Sequence, residues 1–316
     1  MKLGEGGNMD LKGRHFLTLL DYSKEELEYL LDVALKMKKG ELVKRLPDKT
    51  LAMLFQKSST RTRMSFEAGM TRLGGHGMFL DIKNTQLGRG ETIEDTGQTM
   101  SRYVEGIMAR LNDHKDIEGI AANATVPVIN ALTDMYHPCQ TMADMLTVME
   151  KKGKVGGLKV VYVGDCGFNM FHSTMIGFSK LGANVVGLCP DKQEYMPKPE
   201  MLEKARAQAK GTVSISHDPV DAMRDADVVY TDVWISMGQD EEKAKRLADF
   251  EGFQVNAELM GHAKPDAIFM HCLPAHRGIE VAAEVIDSPC SVVFDEAENR
   301  LWAQNAILVE LMGGTE

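Results

Sequence analysis

Leu158-Lys159-Val160-Val161-Tyr162-Val163-Gly164-Asp165-Cys166-Gly167 is a β-branched and aromatic run that stops at a glycine-bearing turn. A run of that composition, without polar alternation, predicts a strand buried on both faces, as in a parallel sheet. Downstream, a helix is expected from about Met170 to Leu181, with Gly182 as its stop. Asn184-Val185-Val186-Gly187-Leu188 gives a second strand, Met201 to Ala209 a helix, Asp227-Val228-Val229-Tyr230-Thr231 a third strand, and Ala267-Ile268-Phe269-Met270 a fourth. Strands alternating with helices at this spacing predict a mostly parallel, doubly wound sheet.

Upstream, a second unit of the same kind is legible. Ser23 and Glu26 form a capping box, and Leu27, Leu30, Leu31 and Ala34 recur at helical spacing until Gly40. Leu51-Ala52-Met53-Leu54-Phe55 reads as a buried strand. Ser58-Ser59-Thr60-Arg61 then feeds a helix that buries Phe66, Met70 and Leu73 and ends at Gly74-Gly75. The Gly-rich stretch Lys151-Lys152-Gly153-Lys154-Val155-Gly156-Gly157 lies between the two units, and the domain junction is expected just before it. The final helix, from Asn299 with Arg300 near its start to Leu311, is long enough to return across that junction. The expected fold class is therefore α/β, with two doubly wound parallel-sheet domains bridged by helices including the C-terminal one. The expected boundaries are 1–147, 148–295 and a returning helix over 296–316.

Composition narrows the function. With 316 residues the chain exceeds one ordinary domain of roughly 100 to 200 residues. Its 36 basic and 46 acidic side chains leave a formal charge of −10, which argues against nucleic-acid binding but allows a small anion held by local arginines. No apolar run reaches the 18 or so residues of a membrane span, so no membrane partner is expected. Met1 to Asn8 carries no apolar signal core, and a mobile extension is expected before Met9. Cys139, Cys166, Cys189, Cys272 and Cys290 are odd in number and scattered, which reads as reduced thiols in a cytoplasmic protein.

Four clusters can carry chemistry. Ser59-Thr60-Arg61-Thr62-Arg63, between a strand and a helix start, offers outward N–H groups, hydroxyls and guanidinium to an anion. The plainer alternative is an ordinary N-cap with two solvated arginines. It is not a Walker A loop, since GxxxxGK[ST] is missing. In His137-Pro138-Cys139-Gln140 the histidine is either structural or, with Gln140 three residues on, placed to hold both ends of a carboxamide. Asp232-Val233-Trp234-Ile235-Ser236-Met237-Gly238 follows a strand end, where α/β ligands sit. There Asp232 suits a cationic amino group, or else Asp232 and Ser236 cap the helix entering Glu241-Glu242-Lys243. His271-Cys272-Leu273-Pro274-Ala275-His276 gathers two histidines and a thiol without the fourth ligand of a structural zinc site, so no metal and no cofactor is expected.

Together, in this order and with α/β spacing between them, the clusters resemble the aspartate/ornithine carbamoyltransferase family, its ornithine branch most, from about Met9 to Met312. The motifs that carry the resemblance are Phe55-Gln56-Lys57-Ser58-Ser59-Thr60-Arg61-Thr62-Arg63, His137 through Gln140, Asp232 through Gly238 and His271 through Pro274. The resemblance implies a first domain for carbamoyl phosphate, a second for the amino acid, and transfer of the carbamoyl group to the side-chain amine of L-ornithine. It further implies that Ser59, Thr60, Arg61, Thr62 and Arg110 surround the phosphate, and that Arg110, His137 and Thr62 donate to the carbamoyl oxygen. Gln140, the Cys272 and Leu273 carbonyls and Arg300 would fix the other carbamoyl edge. Asn169, Asp232, Ser236 and Met237 would hold the amino-acid head, with Cys272 near the attacking nitrogen. Family members assemble as a homotrimer or its multiples, with Gln86 of the polar stretch Lys83 to Gly90 as the crossing residue. One departure stands out: in Cys166-Gly167-Phe168-Asn169-Met170 only the second of the family's paired asparagines remains.

Among related reactions, an aspartate acceptor calls for a more arginine-rich carboxylate pocket. Putrescine lacks the carboxylate that the Ser236-Met237-Gly238 turn suits, and an acylated ornithine lacks the cation Asp232 would pair with. Outside the class, a nicotinamide-binding domain is disfavoured because Gly164-x-x-Gly167 does not supply G-x-G-x-x-G. A non-catalytic binding protein on the same fold is disfavoured by the full phosphate set.

Overall fold

The structure, a computed structural model, describes residues 9–235 and 242–315. The expected extension before Met9 and the Ser236-Met237-Gly238 turn lie outside the described residues. The chain divides into two compact units, one running through Leu146 and resuming at Glu298, the other spanning Thr147–Ala297.

The first unit holds strands β1 (Thr50–Phe55), β2 (His76–Asp81), β3 (Gly106–Arg110) and β4 (Val128–Leu132), all parallel, in the order β2-β1-β3-β4. Its helices are α1 (Lys24–Lys38), α2 (Thr60–Arg72), α3 (Ile93–Met100), α4 (His114–Asn123) and the first part of α5 (Pro138–Lys152). In α1 the capping box forms as expected: Glu26 N–H donates to Ser23 Oγ at 3.2 Å and Ser23 N–H to Glu26 Oε2 at 2.8 Å. A cap of this kind contributes on the order of 1 kcal/mol. Leu27, Leu30, Leu31 and Ala34 are buried along one face, each leucine contributing roughly 2 kcal/mol. Ala52 and Leu54 of β1, Ile107 and Ala109 of β3, and Ile117 and Ile120 of α4 form the core between this sheet and its helices.

The second unit holds β5 (Lys159–Val163), β6 (Asn184–Leu188), β7 (Thr212–Ser216), β8 (Val228–Thr231) and β9 (Ile268–His271), again all parallel, in the order β7-β6-β5-β8-β9. Its helices are α6 (Asn169–Lys180), α7 (Pro199–Gln208), α8 (Pro219–Met223), α9 (Lys243–Asp249), α10 (Ala257–Met260), α11 (Ala283–Ile286) and the start of α12 (Val293–Leu311). Val161 and Val163 of β5, Val229 of β8 and Phe269 of β9 pack with Val285 and Ile286 of α11.

Both sheets reverse strand order once, between β1 and β3 in the first and between β5 and β8 in the second, and that is where open α/β sheets bind ligands. Register makes the strand ends level. Phe55 pairs with Asp81 and Arg110, and Thr231 pairs with Val163 and His271. The residues just past those ends are therefore neighbours. One expectation is corrected: α12 begins at Val293, not Asn299, so Arg300 lies two turns inside it rather than near its start. Asp295 and Glu296 explain the earlier start, because acids in a first turn complement the helix dipole.

Candidate active site

At the first switch point the backbone enters α2 through Ser59, whose hydroxyl accepts from Thr62 N–H at 3.3 Å and donates to Thr62 Oγ1 at 3.0 Å. No acid stands in this first turn, so the helix dipole there is left for an exogenous anion. Thr60 is exposed, Arg61 half-buried and Thr62 buried. Gln56 ties the end of β1 to that of β3: its N–H donates to the Arg110 carbonyl at 2.9 Å and its Oε1 accepts from Asn112 N–H at 2.8 Å. Arg110 sits at a register shift between β3 and β4, the kind of bulge that re-aims a side chain, and is itself buried.

Arg300 joins three helices. Its Nη1 donates to Gln140 Oε1 at 2.6 Å and its Nη2 to Thr62 Oγ1 at 3.3 Å, linking α12, α5 and α2 within the first unit. Gln304, one turn along α12, accepts from Arg300 Nη2 at 2.9 Å and Nε at 3.3 Å in the amide orientation its neighbours require. Gln140 Nε2 donates to buried Asp144 at 2.8 Å, so both ends of its carboxamide have protein partners. His137, buried immediately before α5, is held well below the usual histidine pKa by desolvation first and then by the Arg300 and Arg110 guanidinium groups. It is a neutral imidazole at neutral pH. Gln86 is exposed between two short 3-10 turns, and its side chain takes no part in this hydrogen-bond chain. Beside Ser59 and Thr60 lies a cavity of about 250 Å³ lined also by Lys57, Arg63 and Lys83. Arg63 stacks on Phe79, 3.8 Å from its ring centroid.

At the second switch point Asp232 Oδ1 accepts from Val233 N–H at 2.7 Å and from the Cys272 thiol at 3.1 Å. Gly164, with φ of 146°, makes the turn after β5 in a conformation that L side chains avoid. Asp165 receives Gly167 N–H at 2.9 Å and pairs with buried Arg246, whose Nε donates to the Trp234 carbonyl at 2.5 Å. Burial nevertheless outweighs Arg246 and raises the Asp165 pKa. Phe168, where the family's first asparagine is missing, stands as N-cap of α6 without a capping side chain, under the Arg246 guanidinium at 5.7 Å from its ring centroid. Asn169 opens α6. Ser236 and Met237 lie outside the described residues.

Asp232, His271 and Cys272 put three potential ligand atoms within 4.8 Å of one another. His271 is not available as one of them. Its Nδ1 accepts from Leu273 N–H at 2.8 Å, which leaves the proton on Nε2, facing Glu280 at 3.2 Å. Leu273 sits at φ 58° in the turn that this bond closes, so His271 shapes the backbone that carries Cys272 and Leu273. Glu296 accepts from His271 N–H at 3.0 Å and from the Tyr230 hydroxyl at 3.2 Å, bracing the ends of β9 and β8.

The structure thus joins Ser59, Thr62, Gln140 and Arg300 directly in the first unit, and Asp232 and Cys272 in the second. Sequence reasoning gave no role to Gln56, Asp144, Gln304, Arg246 or Glu296. Their partners are remote in sequence, except that Gln140 with Asp144 and Arg300 with Gln304 stand four residues apart on one helix, a spacing that was there to be read.

Two parallel α/β units, one with a cationic, hydroxyl-rich switch point and the other with an acidic one, define a class of two-domain α/β protein with ligand sites of opposite charge. The model of the aspartate/ornithine carbamoyltransferase carbamoyl-P binding domain matches residues 14–150, and that of the Asp/Orn binding domain matches residues 156–311. The chain belongs to the aspartate/ornithine carbamoyltransferase family. It is 56% identical to the ornithine carbamoyltransferase of Thermococcus kodakarensis over 97% of this chain and 98% of that one. It is 54% identical to the anabolic ornithine carbamoyltransferase of Pyrococcus furiosus over 97% of this chain and 98% of the relative. The solved structure of ornithine carbamoyltransferase from Pyrococcus furiosus superposes with a TM-score of 0.92, covering 98% of this chain and 100% of that chain. That from Gloeobacter violaceus, 42% identical, gives 0.85 over 95% of this chain and 100% of the other. Among the described residues no helix is long and apolar enough to cross a membrane.

Proposed function

We propose that the protein transfers the carbamoyl group of carbamoyl phosphate to the side-chain amine of L-ornithine, giving L-citrulline and phosphate. The observation that carries this reading is the Arg300 fork, which holds Thr62 and Gln140 beside an acid-free helix N-terminus. In this reading the first unit takes carbamoyl phosphate. The Ser59 to Thr62 turn and Arg110 receive the phosphate, and Arg110, His137 and Thr62 donate to the carbonyl oxygen. The tetrahedral intermediate gathers negative charge on that oxygen, and each donor aimed at it is worth about 3 kcal/mol. A neutral His137 still carries one ring N–H with which to donate.

The second unit takes the amino acid. Asp232 receives the α-ammonium group, with Asn169, Ser236 and Met237 around the head and Cys272 beside the attacking nitrogen. An alkylammonium has a pKa near 10.4, so the attacking amine must first lose a proton, which a cationic surround favours. That first proton goes to solvent; attack leaves a second proton to be shed from the new C–N nitrogen, which the departing phosphate takes up, so positioning and electrostatics suffice. Homologues named for ornithine favour it over putrescine or acylated ornithine.

A trimer with Gln86 reaching a neighbouring subunit belongs to the same reading, supported by the exposure of Met78 and Phe79 on edge strand β2. Five free thiols fit a reducing, cytoplasmic setting. The test is a phosphate-release assay comparing ornithine, putrescine, acetylornithine and aspartate as acceptors. Ornithine should exceed each of the others in kcat/KM by at least about a hundredfold. A better rate with any of the others overturns the assignment.

A further inference from the structure

We propose that Asp144 is a positioning residue that decides which end of the Gln140 carboxamide is presented, and thereby selects an acyl phosphate that bears an NH2 group. This rests on the reading that the first unit takes carbamoyl phosphate.

The two ends of a carboxamide are nearly the same shape, so packing alone does not orient one; its hydrogen-bond partners do. Gln140 Nε2 donates to Asp144 Oδ1 at 2.8 Å, and Gln140 Oε1 accepts from Arg300 Nη1 at 2.6 Å. A carboxylate only accepts and a guanidinium only donates. Turned over, the amide would set its N–H groups against Arg300 and its oxygen against Asp144, like facing like where Asp144, Gln140 and Arg300 are all buried. The pair is built into α5, since residues four apart lie one turn above each other on the same face. The end that Asp144 turns toward Arg300 is therefore an acceptor. An amino group on the acyl carbon can donate to it, whereas a methyl group cannot.

Acetyl phosphate, with methyl in place of amino, is the probe. The inhibition constant of acetyl phosphate divided by the KM of carbamoyl phosphate measures the selection, with inorganic phosphate as a control for charge. In Asp144→Asn the new side chain both donates and accepts, so Arg300 alone is left to orient Gln140, and the ratio should fall about tenfold while inorganic phosphate binding changes alongside acetyl phosphate. Loss of a buried counter-charge alone moves all three anions together and leaves the ratio unchanged, which overturns the proposal. The double variant Gln140→Glu with Asp144→Asn keeps one carboxylate in the pair. Residue 140 then offers only acceptor oxygens, to Arg300 and to the new amide, so the ratio should return to within about threefold of the wild type. A double variant no more selective than Asp144→Asn also overturns the proposal. If thermal unfolding shows that Asp144→Asn does not fold, the double variant is compared with the wild type directly, and a tenfold loss there counts against it. A wild-type protein without preference for carbamoyl over acetyl phosphate sinks the activity reading instead, whereas a preference that survives Asp144→Asn sinks the positioning role alone.

Discussion

At the switch point of the first sheet stand guanidinium, imidazole and hydroxyl groups; at that of the second stand carboxylates and a thiol. The backbones there are alike, with level strand ends, a turn and then a helix. What differs is how each unit keeps its charges in place. In the first, the cost falls on His137, which burial first and the Arg300 and Arg110 guanidinium groups second push neutral. In the second, Asp165 has a buried arginine for a partner and is still held above its ordinary pKa by desolvation. The same strand geometry therefore supports opposite electrostatics, because the turns that follow the strands carry the chemistry.

The sharpest way to break the contrast is to disable one unit and read the other. Arg300→Lys keeps the charge but cannot grip Thr62 and Gln140 together, so kcat/KM for carbamoyl phosphate should fall on the order of 10² to 10³. Asp232→Ala should raise the ornithine KM about a hundredfold and leave carbamoyl phosphate binding, measured by calorimetry without acceptor, within about threefold. Equal losses for both substrates in either variant would erase the division of labour.

A smaller effect sharpens the cost borne by the first unit. The folded pKa of His137 lies below 6.5, so the unfolded chain binds an extra proton between the two values. Its contribution to stability is full above pH 6.5 and is lost as pH falls through that window, by up to about 1.4 kcal/mol per pH unit. His114 is lowered by burial in the same direction. The difference between wild type and His137→Gln therefore isolates His137, and urea midpoints at pH 5.5 and 7.5 should be closer together in the variant. The smallest test concerns thiols. Burial pushes the Cys139 thiol up to about 12 and raises Cys166 as well, while Cys272 and Cys290 are half-buried. Iodoacetamide should label Cys272 and Cys290 in the native protein and all five cysteines after denaturation, as read by mass spectrometry. Labelling of native Cys139 would contradict the packing around α5.

Much of this was legible in the chain. The run from Leu158 to Gly167 announced the second sheet because central parallel strands must be apolar on both faces, and its observed strand is Lys159–Val163. Edge strand β2, with Met78 and Phe79 exposed, and β3, with glycine and alanine in its five residues, carry no such signal and were not read. Arg300 is expected near a helix start, whereas the acids Asp295 and Glu296 before it already stand in the first turn of that helix.

Local sequence, then, determined the alternating strands and helices, the capped α1 and the residue types at each turn, since period, propensity and capping act within one or two turns of chain. Tertiary structure alone decided that Arg300 meets Thr62 across 238 residues and Gln140 across 160, and that Cys272 meets Asp232 across 40. Those meetings depend on strand order, register and burial, and burial makes a hydrogen-bond donor choose one acceptor where water would have served either.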